Sequence, residues 1–245
     1  MNEILSKYLN VIEVPKWERK KRNKLLQNWN EQTLTELPSY KELKEFENLC
    51  ESEGYRFDTY FFMKKIYIPV YYNEIFSKKN IDALMRIYDN YSSTFFFSNQ
   101  ARESLKNEPV DLLKLGLEID PKNKRLLKDK YNRYIGGFEN DIHEVPWIVI
   151  FGQNSASIEE TELLLNKIKD FKLFCLENNF DIPEIKIKKY EFYFNTWKTY
   201  LKDFVKKMDY ETYLSNHKLS EWIKIMKSEP ENLKTYEFLL NKYES

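Results

Sequence analysis

Over most of the chain, apolar residues recur at intervals of three and four, the period of a helix with one buried face. Over residues 16–32, Val14, Trp17, Lys21, Leu25 and Trp29 fall in phase, which predicts a helix in which Lys21 snorkels to water. The next helix opens at "PSYKELKEFENLC". Ser39 and Glu42 have capping-box spacing, and Leu43, Phe46, Leu49 and Cys50 form the stripe. Two long helices are expected between Arg56 and Ser104, with Pro69 as a kink or break, then a short one over Val110–Glu118. Asp120-Pro121 reads as a helix start, an acid at the cap followed by proline in the first turn. Leu127, Tyr131, Tyr134, Phe138 and Ile142 then hold phase across Gly136-Gly137. An interior glycine costs about 1 kcal/mol relative to alanine, so this pair predicts a close backbone neighbour or a kink.

Ser157 and Glu160 form a second capping box, ahead of Ile158, Leu164, Leu165, Ile168, Phe171 and Cys175. After "DIPE" comes the longest stripe: Tyr190, Phe194, Trp197, Leu201, Phe204, Val205 and Met208. Shorter helices are expected over 210–227 and 230–242. Two runs, "IYIPVYY" (66–72) and "PWIVIF" (with 147–151 at its heart), have strand-like residue types. A single short pair makes no stable sheet, so both are read as buried helix or extended connector. The predicted fold is all-α: irregular stacked helical hairpins, about nine to eleven helices, with no substantial sheet. The predicted organisation is one helical domain over 1–245, or two tightly packed halves joined near 105–110.

Composition sharpens this picture. There are 18 Tyr and 17 Phe but only three alanines, so the core must be built from rings and Leu/Ile. The 39 basic residues balance 39 acidic ones, which weighs against non-specific nucleic-acid binding. Lys outnumbers Arg and Asn is frequent, the bias of an A/T-rich genome, and this points to a bacterial source. Cys50 and Cys175 lie on apolar stripes, as buried thiols in a reducing cytoplasm do, and a single disulfide between them is compatible with the sequence. The N-terminus lacks the order of a signal peptide, and no apolar run approaches the roughly 20 residues of a membrane span. A cytoplasmic location without membrane contact is expected.

"LGLEIDPKNK" (115–124) resembles the junction between tetratricopeptide repeats, in which a helix ends at a small residue and an Asp-Pro-x-Asn turn starts the next. Gly116 fills the small position, and Asp120, Pro121 and Asn123 match the turn. Phe97, Pro109, Tyr131 and His143 depart from the pattern where the repeat projects small residues. The resemblance covers about ten residues and implies stacked helical hairpins.

The candidate chemistry is sparse. In "GFENDIHEVPWIVIFGQN", Glu139 and His143 are four apart and share a helix face, so Glu139 can orient His143 as a general base. The favoured reading is structural: a histidine in the last turn, before Pro146, complements the negative end of the helix dipole. The two histidines are 74 positions apart and no metal-ligand spacing, Walker loop or GxGxxG occurs, so no metal or cofactor is expected. "KWERKKRNK" (16–24) holds six bases and one acid; it reads as a solvated face, with phosphate contact and Trp17 stacking as the functional alternative. Glu42, Glu45, Glu47 and Glu51 avoid the apolar stripe of their helix and are expected to face outward as an acidic docking surface. The three rings of "STFFFSNQ" (93–100) are expected to be buried.

Together these features predict a non-catalytic, cytoplasmic bacterial protein that binds one protein partner. In style it is similar to toxin-immunity proteins, with the four glutamates plugging a basic toxin domain. The alternatives are a repeat-like adaptor that binds a peptide or nucleic acid, and an enzyme that uses His143 as general base.

Overall fold

Capping chemistry sets where the helices begin. In the computed structural model, which describes residues 2–32, 36–57, 59–90, 111–143, 145, 149–151, 154–228 and 242, both predicted capping boxes are formed. The fold is all-α, with eleven helices among the described residues. They are α1 (Glu3–Ile12), α2 (Arg19–Glu31), α3 (Tyr40–Ser52), α4 (60–77), α5 (Ile81–Asn90), α6 (Leu112–Ile119), α7 (Lys124–Asp141), α8 (Ile158–Glu177), α9 (Glu184–Asp203), α10 (Tyr210–His217) and α11 (Leu219–Lys227). The extended pairing among the described residues is one two-residue antiparallel pair, β1 (Ile150–Phe151) with β2 (Asn154–Ser155). Part of "PWIVIF" is therefore a short strand rather than a helix or an unpaired connector; residues 146–148 lie outside the described residues. So do "STFFFSNQ", the expected junction near 105–110 and most of 230–242.

The chain divides into two compact units, Met1–Leu126 and Leu127–Ser245, with the boundary inside α7. In the first, Tyr8 of α1 stacks on Phe62 of α4 (4.3 Å) and lies 4.7 Å from Trp29 of α2. The polar edges of these rings are satisfied. The Tyr8 hydroxyl bonds the Phe57 carbonyl (2.9 Å) and the Thr59 hydroxyl (2.6 Å), and the Trp29 indole donates to the Ile4 carbonyl (3.1 Å). In the second unit, α8 and α9 form a hairpin whose facing rings, with Phe138 of α7 and Tyr210 and Tyr213 of α10, make the core. Trp197 fixes the chain ahead of α8 by donating to the Ala156 carbonyl (2.8 Å).

Several sequence expectations are corrected. A helix over 3–12 precedes the first one expected. The helix expected over 16–32 starts only at Arg19, because a turn closed by Glu18 N–H on the Pro15 carbonyl (2.9 Å) interrupts the phase. Trp17 is therefore 84% exposed instead of joining Trp29 in the core. Pro69 neither ends nor breaks α4, since π-helical turns at Met63–Tyr67 and Asn73–Ser77 flank it and re-route the ladder. "IYIPVYY" is helical. Asp120-Pro121 forms a turn, and the cap of α7 is Asn123, whose side chain accepts from Leu126 N–H (3.2 Å). The long stripe ends with α9 at Asp203, leaving Val205 49% exposed.

The glycines of α7 have no backbone against them. A Cβ at Gly136 meets nothing within 4 Å, and one at Gly137 meets only the Lys167 ammonium, at 3.1 Å. Gly116 differs, because a Cβ there lies 2.5 Å from Leu126 Cδ1 and 3.1 Å from Leu84 Cδ2, both buried. Gly136→Ala should therefore raise stability by about 0.5–1 kcal/mol, and Gly116→Ala should lower it by about 1–2 kcal/mol, both measured by urea unfolding.

Candidate functional site

The four acidic candidates on α3 do not form one surface. Glu42 is spent on the helix start, where its carboxylate accepts from the Ser39 backbone N–H (2.9 Å) and hydroxyl (2.8 Å), bonds that hold it below the usual carboxylate range. Glu45 is exposed. Glu51 is 57% exposed and lies 3.2 Å from Arg86 of α5. Glu47, expected to face outward, is instead fully buried. It sits four residues after Leu43 and three before Cys50, in the middle of the inward face.

At Glu47 three helices meet. Arg86 Nε of α5 lies 2.5 Å from one carboxylate oxygen, and the Tyr71 hydroxyl of α4 reaches both oxygens, at 3.0 and 2.8 Å. Tyr40, the first residue of α3, packs edge-on against Tyr71 at 5.4 Å. Burial pushes the Glu47 carboxyl above its ordinary value, against the pull of Tyr71 and Arg86. The Cys50 thiol one turn on is pushed up to about 12 by burial and by Glu47 and Glu51, so it is inert as a nucleophile. At the rim, Arg86 also donates to Asn48 (3.1 Å) and so links the buried carboxylate to the exposed end of α3.

Glu139 of α7 makes a comparable tie in the second unit. One carboxylate oxygen accepts from Lys186 (3.1 Å) and the Tyr190 hydroxyl (2.7 Å), and the other from Lys189 (3.2 Å), all on α9. Half-burial works to raise this carboxyl, but Tyr190, Lys189 and Lys186 outweigh it and hold it below its usual value. Both oxygens are committed to α9. His143 is exposed, and its Nδ1 meets the Asn140 carbonyl at the end of α7, as a dipole-complementing histidine does. Sequence spacing paired Glu139 with His143; in the structure each serves a different local purpose. Asp141, between them, is buried, and burial raises its carboxyl despite Lys167 and His143 nearby.

The residues that complete these ties were missed, although part of the signal is in the pattern. Lys189 shares its helical line with Tyr193, Thr196 and Tyr200, all buried, so a lysine in that phase marks an internal partner. Arg86 sits beside Ala83 and Ile87 on a strongly amphipathic helix, and nothing local shows that it turns inward. Among the described residues no cluster of His, Cys, Asp or Glu is arranged to hold a metal. Both cysteines are free and buried. No described helix is long and apolar enough to cross a membrane.

No family model, curated protein or solved structure matches the chain.

Lys189 is only 2% exposed, and Glu139 is one partner of its ammonium, at 3.2 Å. Glu139→Gln should cost about 2 kcal/mol by weakening the charge-assisted bonds that Lys186 and the buried Lys189 make to this carboxylate. Because the Glu139 carboxyl is lowered by folding, its contribution is complete above about pH 4.5 and fades as pH falls through the folded value. The stability gap between the wild type and Glu139→Gln should therefore narrow progressively as pH falls below about 4.5, as read by urea unfolding along an acid series that starts at about pH 7.

Proposed function

We propose that the chain is a non-catalytic protein of the bacterial cytoplasm that binds one protein partner, most concretely an immunity protein that neutralises a toxin by direct contact. The observation that carries this reading is the commitment of Glu139 to Lys186, Lys189 and Tyr190, which takes the orienting acid away from His143. The geometry favours using these polar groups as internal ties, leaving recognition to the surface. The free, buried thiols of Cys50 and Cys175 fit a reducing compartment.

The docking surface is narrower than the four glutamates. It consists of Glu45 and Glu51 on the outer side of α3 with Asn48 between them, backed by the Glu47–Arg86 pair that fixes α3 against α4 and α5. Exposed carboxylates of this kind steer a basic partner and set its orientation more than they add affinity. Affinity capture of the tagged chain from its native host, at low and moderate salt, should recover one stoichiometric basic protein that is lost as salt rises. With that partner in hand, Glu45→Lys together with Glu51→Lys should weaken binding at least ten-fold while the helical circular dichroism is unchanged. Unchanged affinity would exclude this face of α3.

A further inference from the structure

We infer that the turn and helix over Pro15–Gln27 form a docking site for single-stranded nucleic acid, in which Trp17 stacks on a base and the lysines of α2 follow the phosphates. This site is independent of the acidic edge of α3.

Trp17 stands at the tip of the Pro15–Glu18 turn with 84% of its surface in water, the most exposed large apolar side chain among the described residues. Lys16, Arg19, Lys20, Lys21 and Lys24 around it are exposed. The one acid of the segment, Glu18, is paired with Lys21 at 3.1 Å. Lys20, Lys24 and Gln27 follow one another at helical spacing on one line of α2, about 6 Å between the first two along the axis. The inner side of α2 is already used: Trp29 is buried, and Leu25 and Leu26 pack on the core of the first unit. At the far end of the helix, Asn30, Phe61, Lys64 and Lys65 line an open cleft of about 420 Å³, where Phe61 is a second ring with substantial exposure (39%). Lys65 itself closes the helix end by donating to the Asn30 (2.6 Å) and Gln32 (2.5 Å) carbonyls.

The chemistry distinguishes the polyanions this surface would take. An interfacial helix needs a free apolar face to enter a lipid surface, and that of α2 is packed inside. Protein interfaces are poor in lysine, and lysine supplies most of this charge. A row of ammonium point charges with an indole at one end and a phenyl ring at the other is the stacking-and-phosphate arrangement of single-strand binders. The neutral total charge of the chain limits binding to this patch, so the number of phosphates neutralised is small.

The test is fluorescence anisotropy of a labelled 15-nucleotide oligo(dT) titrated with the full chain. Four to five phosphate contacts predict a loss of roughly 50- to 130-fold in affinity between 50 and 200 mM salt. Trp17→Ala should weaken binding at least five-fold and Trp17→Phe less, whereas Lys20→Glu with Lys24→Glu should abolish it. Trp17 is outside the core, so circular dichroism of these variants should match the wild type. Polyglutamate and phosphatidylserine vesicles serve as competitors. No binding at 50 mM salt, or an unchanged Trp17→Ala, would overturn the inference. So would competition by polyglutamate or by vesicles equal to that by unlabelled oligonucleotide, the first indicating an acidic protein and the second a membrane.

Discussion

A carboxylate drawn wholly or partly out of water is held by cations and hydrogen-bond donors, and each unit of this protein contains one that ties helices together. Glu47 draws Tyr71 and Arg86 onto α3 from the two helices that follow it. Glu139 draws Lys186, Lys189 and Tyr190 of α9 onto α7. In both cases a tyrosine hydroxyl shares the carboxylate with the cation, so the ring adds packing while its oxygen supplies the bond. With only three alanines in the chain, helices cannot lock by close backbone approach except where glycine allows it, as at Gly116 against Leu126. Rings fill the wider gaps, and directional polar ties give these non-directional contacts their register.

The same ties decide which polar groups are left at the surface. Carboxylates engaged by internal lysines or arginine are unavailable for proton transfer, and the thiol beside Glu47 is held protonated. Two local patches reach the surface: exposed Glu45 and Glu51 on α3, and a basic turn and helix with Trp17 at its tip. A zero total charge conceals these patches. On a neutral chain it is the local patch and not the net charge that acts, within a Debye length of about 8–10 Å.

Two helix starts were legible as capping boxes, whereas Asp120-Pro121 proved to be a turn ahead of the true cap, Asn123. Ser39 with Glu42, and Ser157 with Glu160, cap as their spacing requires, because every partner in a capping box lies within one turn. The stripe of α7 is also as read, since Phe138 and Ile142 are buried and Tyr131 and Tyr134 pack on the same core. Glu47 was misplaced because residue type was given more weight than phase. Trp17 was misplaced because a stripe was extended through Pro15 into a turn that ends it. The pairing of Glu139 with His143 had correct spacing, but spacing along one helix says nothing about a second helix that supplies three donors.

The sequence by itself determined the all-α class, the two capping boxes and most of the apolar stripes, since these follow from interactions within about four residues. The tertiary structure alone decided which charged side chains are internal. The cations that hold the carboxylates of Glu47 and Glu139 stand 39 and 47–50 positions away in the chain. No periodicity carries that information, because it resides in how the helices pack.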